Sequence, residues 1–563
     1  MTARWSAAPA HGILARASAS LVIGLLLAAV LPTVAQAAPV ASATVDLAVH
    51  PGGLVKASWT NTAGAKQLQV VAAAANGATR NAVFTAKGGT GVSLSESPDA
   101  GYLFTGWSGS VSGTNVSPSF SVTANHTYSV TATFGPAPTY SVTFNESGLT
   151  GQQWSVDLNG STTSSATSIA FSKLLDGTYP YSINPPSGYA ASPASGTVLV
   201  SGVNQSVSVG FTLTNEQEAV ASYEALQENL YEPSVQLYQA VPSSGCDPYS
   251  CLWPFTNATA ATEYLYGSPG GSSYAPDVAA RLDGLLAYLD PHEVSPSGAA
   301  QPQAFESAVA PPKGLGGSTY YDDNAWSALD LIDAYRLTGN PTDLTLAQDT
   351  FNFVVTGWDT SQTDGCPGGV FWEDVSGSQR NTTANAGNAE VGLELYQLTN
   401  DSGDLTWAEQ MYQWVNTCLE SPDGLYYDHV NPGGSVNTTM WSYNQGTMIG
   451  AGALLYEITQ SQSYLTAAER TASAAVSYFG TGTTLQDQGP AFNAIYFRDL
   501  FVLGQIQPNT TYTAEAQAYA TYMWTQRDTS SGLFLQNGQT NGVNGTAPMV
   551  EIYSLLAGST PQP

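Results

Sequence analysis

A four-residue pattern recurs three times in the second half of the 563-residue chain, as Tyr335-Arg336-Leu337-Thr338, Tyr396-Gln397-Leu398-Thr399 and Tyr456-Glu457-Ile458-Thr459. The spacing between successive copies is nearly constant. Each copy closes a stretch with apolar residues at helical spacing, and a second helical stretch follows it. A repeat of about 60 residues with two helices per copy is typical of stacked helical hairpins.

Hairpins of this length fit about six times between residue 215 and the end of the chain. Six hairpins can close into a ring, which removes the open ends that a linear stack must cap. The sequence therefore predicts an all-α (α/α)6 barrel over residues 215–563. Periodicity alone leaves an open solenoid as the alternative.

Loops between the hairpins also resemble one another. Gly368–Trp372, Asp423–Tyr427 and Ser531–Phe534 each combine a glycine, an aliphatic residue and an aromatic residue. The glycine suits a tight turn. The aromatic side chains either pack under the loop or line a cleft, where they could stack on sugar rings.

Residues 38–214 carry a different pattern. Short alternations of apolar and polar residues, such as Tyr128–Phe134, recur between turns rich in Gly, Asn, Ser and Pro. The segment Gly135–Pro138 divides this region. We therefore expect all-β modules of Ig-like or β-sandwich type at residues 38–136 and 137–214. The predicted protein is multidomain, with β-modules before the helical barrel.

Both β-modules resemble repeats of microbial surface proteins. The stretch Gly101–Gly109 is similar to the small repeat modules of bacterial surface proteins, and the unit that begins at Tyr140–Leu149 resembles β-sandwich modules of secreted archaeal proteins. Neither resemblance implies a catalytic residue in these modules. Both imply association with a cell surface or a glycan.

The chain is strongly acidic. It has 14 Lys and Arg against 43 Asp and Glu, which gives a formal net charge of −29 and excludes nucleic-acid binding through a basic face. Charged residues make up only 10% of the sequence, against about 25% in ordinary soluble domains. One hypothesis is adaptation to an acidic habitat, because a chain with few ionisable groups changes charge little with pH. Compositional drift in a secreted, Ser- and Thr-rich protein is the alternative.

The first 37 residues have the layout of a secretory signal peptide. Arg4 and Arg16 provide a positive start, Leu21–Leu31 is apolar, and Ala35-Gln36-Ala37 fits a cleavage site. A retained signal-anchor is the alternative. We expect a secreted, extracellular protein that associates with a cell surface through its β-modules.

The four cysteines fit the same compartment. Four cysteines permit three pairings, of which we favour Cys246 with Cys251 and Cys366 with Cys418, since each pair would link a local feature. Their spacing does not suit a zinc site. The sequence predicts no metal and no cofactor.

Two adjacent carboxylates stand out in Tyr320-Tyr321-Asp322-Asp323-Asn324-Ala325-Trp326. They come directly before a helical pattern, so capping of the helix is one explanation. The other is a glycosidase pair, in which one carboxylate attacks the anomeric carbon and the other protonates the leaving oxygen. Consecutive side chains do not share a helix face. A catalytic pair would therefore have to lie where the loop becomes the helix.

This stretch resembles glycoside hydrolase family 76, the α-1,6-mannanases. Further similar segments follow in the order of the family, at Gly368–Trp372, Arg380–Asn385, Asp423–Leu425 and Trp441–Gly446. The resemblance covers residues 220–560, approximately. It implies an (α/α)6 barrel that hydrolyses internal α-1,6-mannosidic linkages of mannan or mannose-containing glycans with retention of configuration.

The resemblance also implies roles for individual residues. Asp322 would be the nucleophile and Asp323 the general acid/base. Expected ligands or supports for the substrate are Tyr321, Asn324, Trp372, Arg380, Asn381, Asn385, Trp441, Tyr443, Asn444 and Gln445. The tryptophans could either pack in the core or stack on sugar rings. Asn381 also lies in a glycosylation sequon, which is an alternative explanation for it. The chain departs from the family at Arg380, where Lys is common, and at Phe371, where Trp is common.

Two other functions stay open. A non-catalytic cell-surface protein could bind glycans on the same scaffold, although it would have no need for both Asp322 and Asp323. A polysaccharide lyase of this fold would need a metal site or a dense basic or His/Tyr cluster, which the sequence lacks. We expect α-mannan, a polysaccharide, as the substrate, no nucleic-acid partner, and a monomer.

Overall fold

The computed structural model describes residues 40–241, 245–290, 302–361, 365–375 and 377–559. The predicted signal peptide, residues 1–37, lies outside these ranges. The chain divides into two compact units, and each is described by itself. Among the described residues, the first contains those up to Ser141 together with Ser172–Gly177 and Val200–Asn204, and the second contains the remainder.

The first unit is built from two four-stranded sheets, with strand orders β4-β1-β8-β6 and β3-β2-β5-β7. Strands β1 and β8 pair in parallel, and the other pairs are antiparallel. Every second residue of β1 is buried, and one hydrophobic cluster collects side chains from both sheets. The strands are β1 (Ser42–Val49), β2 (Gly53–Thr60), β3 (Lys66–Ala72), β4 (Arg80–Lys87), β5 (Gly91–Pro98), β6 (Tyr102–Gly109), β7 (Ser119–Ser121) and β8 (Thr127–Pro136).

Eight more strands precede the helices and form two further four-stranded sheets, ordered β11-β10-β13-β15 and β12-β9-β16-β14. They are β9 (Tyr140–Ser147), β10 (Trp154–Leu158), β11 (Ser161–Ser165), β12 (Ile169–Leu174), β13 (Gly177–Asn184), β14 (Tyr189–Ser192), β15 (Ser195–Val200) and β16 (Gln205–Leu213). The N-terminal part of the chain is thus β-rich, as predicted.

From residue 215 onward the described chain is mainly helical. It forms α1 (Asn215–Leu230), α2 (Leu252–Gly267), α3 (Ala275–Leu285), α4 (Tyr321–Thr338), α5 (Pro341–Thr356), α6 (Thr382–Thr399), α7 (Ser402–Cys418), α8 (Ser442–Thr459), α9 (Gln462–Phe479), α10 (Pro490–Ile506), α11 (Thr510–Trp524) and α12 (Val543–Leu556). None of these helices combines the length and the apolar character that a membrane span needs.

The helices form an inner and an outer layer. The inner helices α2, α4, α6, α8, α10 and α12 each pack against the next in this order, and α12 packs against α2. Helices α3, α5, α7 and α9 pack on the inner helix that precedes them, and α1 packs on α12. The contact between α12 and α2 closes the ring, which agrees with the predicted α/α barrel and not with an open solenoid.

The repeated four-residue pattern forms the last turn of α4, α6 and α8. Its threonine donates a hydrogen bond to the carbonyl one helical turn earlier, over 2.8, 2.8 and 2.6 Å in the three copies. The next residue, Gly339, Asn400 or Gln460, has a φ between 57° and 73° and ends the helix. The pattern is therefore a signal for the end of an inner helix.

An amide side chain in the first turn of α4, α6 and α8 holds the preceding loop. Its oxygen accepts the backbone N–H of one loop residue and its nitrogen donates to the carbonyl of that same residue. These amide clamps are Asn324 on Phe305 (2.8 and 3.0 Å), Asn385 on Val370 (2.7 and 3.2 Å), and Gln445 on Tyr426 (2.7 and 2.9 Å). All three held residues are buried. The rings of Phe305 and Tyr426 thus pack under their loops.

The structure confirms the favoured cysteine pairing, Cys246 with Cys251 and Cys366 with Cys418. The second disulfide ties the loop after α5 to the end of α7. Two disulfides fit a protein that folds in an oxidising compartment.

We predict that Asn385→Ala lowers the free energy of unfolding of the barrel by about 1–3 kcal/mol, because the buried N–H of Val370 loses its acceptor. Chemical denaturation of the full chain, followed by the helical circular-dichroism signal, measures this change. Asn352→Ala, at an exposed position on α5, is the matched control and should not lower the free energy of unfolding, because alanine favours a helix at least as well as asparagine. Equal effects of the two substitutions would contradict the clamp.

Candidate active site

A pocket of about 800 Å³ opens at the N-terminal ends of the inner helices. Each inner helix contributes a residue from its first turn or from the residue just before it: Trp253, Asp322, Asn381, Tyr443, Phe492 and Asn544. Because the N-terminus of a helix carries a partial positive charge, this arrangement favours anionic groups in the pocket. The adjacent aspartates lie in the first turn of α4, within reach of this charge.

Asp322 is the second residue of α4 and is 8% exposed. One of its oxygens accepts hydrogen bonds from the indole N–H of Trp372 (3.0 Å) and the side-chain amide of Asn381 (3.3 Å). The other accepts the backbone N–H of Asp323 at 3.0 Å. Burial raises the pKa of Asp322 to about 6, and these three donors act in the opposite direction.

Asp323 has a different environment. Among the described residues, no side chain donates a hydrogen bond to its carboxyl group. Burial, followed by the charge of Asp322, raises the pKa of Asp323 well above its usual range. The pair therefore divides its roles: Asp322 is the carboxyl group equipped to hold a negative charge, and Asp323 is the one that retains a proton.

Aromatic rings form two walls of the pocket. Tyr320 and Trp372 lie on one side, with ring centroids 4.7 Å apart. On the other side the ring of Phe492 is nearly parallel to those of Tyr443 (4.0 Å) and Trp253 (5.3 Å), with interplanar angles of 11° and 15°. Trp441 meets Phe492 edge to face at 5.4 Å. Flat faces and few mobile side chains suit the recognition of a sugar ring.

The structure brings together six of the residues selected from the sequence. Asp322, Asp323, Trp372, Asn381, Trp441 and Tyr443 all line the pocket. Asn381 is also buried and caps α6 by accepting the N–H of Ala384. Its side chain is therefore not presented for glycosylation.

The other six selected residues lie behind the pocket wall. Asn324, Asn385 and Gln445 are the amide clamps. Tyr321 donates to Asp374 (2.9 Å), and Asn444 donates to the carbonyl of Tyr427 (3.4 Å). The guanidinium of Arg380 pairs with Asp359 (3.1 Å) and donates to the carbonyls of Cys366 and Gly368. These side chains hold the loops from which pocket residues project.

Several pocket residues were missed by sequence reasoning. They are Trp253, Tyr320, Phe492, Gln379, Asp428 and the Cys246–Cys251 loop. The internal repeat contains a signal for Tyr320, because Tyr320, Asn381 and Trp441 occupy equivalent positions in successive copies. Trp253 and Phe492 belong to copies in which the repeat is too weak to align.

In the part of the chain that the structure describes, no three His, Cys, Asp or Glu side chains are grouped so that they could hold a metal ion. The polar groups of the pocket are the carboxyls of Asp322, Asp323 and Asp428 with amide side chains such as Asn381. Such a set can transfer protons, attack an electrophilic carbon and bind hydroxyl groups.

Two sequence profiles match the chain. Residues 299–559 match glycosyl hydrolase family 76, and residues 67–138 match the divergent InlB B-repeat domain. The family 76 match thus lies within the helical domain. The resemblance deduced from the motif around Asp322 is thus confirmed, as is a surface-type repeat within the β-rich region.

Curated relatives match part of the chain. The mannan endo-1,6-alpha-mannosidase DCW1 of Saccharomyces cerevisiae is 29% identical over 215 residues, which are 34% of this chain and 47% of the relative. The mannan endo-1,6-alpha-mannosidase DCW1 of Candida albicans is 30% identical over 159 residues, which are 25% of this chain and 34% of the relative. The chain thus spans about half or less of the length of these relatives.

Solved structures share the fold of a large part of the chain. A family 76 glycoside hydrolase from a bovine Bacteroides thetaiotaomicron strain has a TM-score of 0.54 at 21% identity, covering 72% of this chain and 93% of its own. A family 76 mannosidase from Bacteroides thetaiotaomicron VPI-5482 has a TM-score of 0.52 at 21% identity, covering 61% and 98%.

We predict that Trp372→Phe raises the pKa of Asp322 by about one unit, because the ring is kept while a donor to the carboxylate is lost. Carboxyl carbon shifts of protein labelled in aspartate, recorded across pH, measure this value, and Asp322→Asn identifies the resonance. Trp358→Phe replaces an indole outside the pocket lining and is the control. An unchanged titration in Trp372→Phe would show that the bond does not stabilise the carboxylate.

Proposed function

We propose that the chain is a secreted, retaining endo-α-1,6-mannosidase that cleaves internal linkages of mannan or of mannose-containing glycans. The observation that carries the proposal is the pair Asp322 and Asp323, placed together in an aromatic-walled pocket with opposite hydrogen-bonding environments. A protein that only binds glycans would not need one carboxyl group that is ionised next to one that stays protonated.

In the first step, the Asp322 carboxylate attacks the anomeric carbon while the Asp323 carboxyl donates its proton to the leaving glycosidic oxygen. A covalent glycosyl-enzyme forms and the first product departs. Asp323, now ionised, then removes a proton from a water molecule that attacks the same carbon. The bond to Asp322 breaks, and two inversions give overall retention.

Trp372 and Asn381 support this scheme from the side of the nucleophile. Both donate to one oxygen of Asp322, which leaves the other oxygen with only the backbone N–H of Asp323. This asymmetry orients the carboxylate and lowers its proton affinity. Asp428, Gln379 and Asn544 also line the pocket and are suited to hydrogen-bond sugar hydroxyls.

The named relatives support the substrate class. The curated matches are called mannan endo-1,6-alpha-mannosidases. An α-1,6-mannanase from Salegentibacter, with a TM-score of 0.50 at 21% identity, is known as an inactive variant with two adjacent aspartates replaced, in complex with α-1,6-mannotriose. Transfer of that pair to Asp322 and Asp323 is part of the proposal.

For the remainder of the chain we propose the modules expected from the sequence. Residues 1–37 would be removed on export, and 38–136 and 137–214 would be Ig-like or β-sandwich modules that associate with a cell surface or glycan. Residues 215–563 would be the catalytic barrel, acting as a monomer. Two four-stranded sheets in each β-region support the sandwich assignment.

Asp322→Asn and Asp323→Asn should each abolish most turnover of linear α-1,6-mannan, by about 10,000-fold for the nucleophile and about 100–10,000-fold for the acid/base. On an aryl mannoside oligomer whose phenol leaves without protonation, the Asp323 variant should recover glycosylation and the Asp322 variant should not. Asp423→Asn, at an exposed loop position, is the control.

Full activity of the Asp322 variant would refute its role as nucleophile. Product anomers read by NMR at early times test the stereochemistry, and an inverted first product would refute retention. Binding of α-mannan by the wild type with no turnover on any mannan linkage would favour the non-catalytic alternative.

The pH dependence follows from the state of the pair. Activity needs Asp322 ionised, so kcat/KM should fall as the pH drops through about 6, the pKa of that group. In Trp372→Phe this fall should begin at higher pH. Initial rates over a pH series, with stability checked at each pH, measure the acidic fall of kcat/KM in the wild type and in the variant. If that fall occurs at the same pH in Trp372→Phe, it does not report the ionisation of Asp322.

A further inference from the structure

A second group of ionisable side chains lies inside the helical ring, further along the inner helices than the pocket. Seven carboxyl groups on five of these helices form it: Glu263 on α2, Asp330 and Asp333 on α4, Glu390 and Glu394 on α6, Asp499 on α10 and Glu551 on α12. We call this group the interior acid cluster. None of its members lines the pocket, and the proposed reaction does not use them.

Few cations face the interior acid cluster. Arg498 on α10 pairs with Asp499 (3.1 Å) and Glu390 (3.5 Å), and Arg336 on α4 pairs with Glu394 (2.9 Å) and Asp333 (3.5 Å). Two guanidinium groups thus face seven carboxyl groups in the described part of the barrel. Full ionisation would leave a net charge of −5 in the interior.

The other elements around the cluster add no cation. Tyr264 on α2 and Asp343 at the start of α5 are the further titratable neighbours. Helix α8 presents glycines there, and a side chain at Gly450 would collide with Glu390. The close approach of α8 therefore leaves no room for a side chain at position 450.

Several carboxyl oxygens of the cluster are buried without a hydrogen-bond partner. Both oxygens of Glu263 are in this state, together with one oxygen each of Asp330, Glu390, Asp499 and Glu551. Two small cavities border the cluster, each of about 30 Å³, roughly the volume of one water molecule. Carboxylates at such positions would lose their hydration without compensation, whereas protonated carboxyls are neutral.

Burial is the largest contribution to the titration of every carboxyl group in the cluster. It raises the pKa of Glu263, Asp330 and Glu390 well above the usual range, and neighbouring carboxylates raise it further. The pKa values of Glu394 and Glu551 rise to about 7, although the arginines act in the opposite direction.

We propose that the interior acid cluster makes the fold of the barrel proton-dependent: the folded barrel holds protons that the unfolded chain releases, and it loses stability as the pH rises through neutrality. In the unfolded chain these carboxyl groups ionise near pH 4. Below that pH both states are protonated, and the stabilisation is fully present. Between pH 4 and the higher pKa values of these groups in the folded state, only the folded state keeps its protons. The free energy of unfolding therefore falls as the pH rises.

The test is thermal unfolding of the full chain at pH 4.5 and pH 7.5, followed by the helical circular-dichroism signal. The wild-type Tm should be lower at pH 7.5 by about 5 °C or more. Glu263→Gln replaces the group with two unpaired oxygens by a neutral isostere, so it should raise Tm at pH 7.5 relative to wild type and change it little at pH 4.5.

Glu228→Gln, at an exposed position on α1, is the control for general repulsion among surface carboxylates. Glu551→Gln provides a second interior variant if the first does not fold. A wild-type Tm that is equal or higher at pH 7.5 would overturn the proposal. So would interior variants whose Tm at pH 7.5 changes no more than that of the surface control. Neither readout involves a substrate, so the outcome is independent of the proposed mannanase activity.

Discussion

The packing of α12 against α2 is the contact on which the rest of the helical domain depends. It joins the last inner helix in the chain to the first. Closure makes every inner helix a neighbour of two others, so that all six can be buried nearly all round. It also gathers the N-terminal ends of the inner helices around one opening, and the pocket is the space between those ends.

That geometry explains why two adjacent acids can lie in the first turn of α4. The helix termini around the pocket favour negative charge, and Trp372 and Asn381 add donors that reach only Asp322. Asp323 is the next residue along and receives none from the side chains described. A difference of one position in the sequence thus separates a charge-holding carboxyl group from a proton-holding one.

The interior acid cluster shows the same residue types under the opposite conditions. There the inner helices supply no free N-terminal N–H groups, and two arginines face seven carboxyl groups. Burial is the largest influence on the pKa in both places, but at Asp322 three hydrogen-bond donors oppose it, whereas at Glu263 neighbouring carboxylates add to it.

Sequence reasoning found Asp322 and Asp323 because consecutive acids before a helix are rare and chemically meaningful. It left Asn324, Asn385 and Gln445 open as ligands or supports, because an amide that recurs once per hairpin suits a sugar ligand and a loop clamp equally well. Whether such an amide binds a sugar or holds a loop depends on the direction in which its side chain points from the first helical turn. That direction is set by the packing of the helices in the ring.

By itself the sequence determined the local structure: the helical period, the ends of the inner helices at Thr338, Thr399 and Thr459, and the β-rich region before them. These follow from turn chemistry and from spacing within one hairpin. Only the tertiary structure decided that α1 packs on α12, that Trp253 and Phe492 form a wall of the pocket, and that seven carboxyl groups converge in the interior. Each of these depends on contacts between distant hairpins, whose pairing is set by closure of the ring and leaves no periodic signal in the chain.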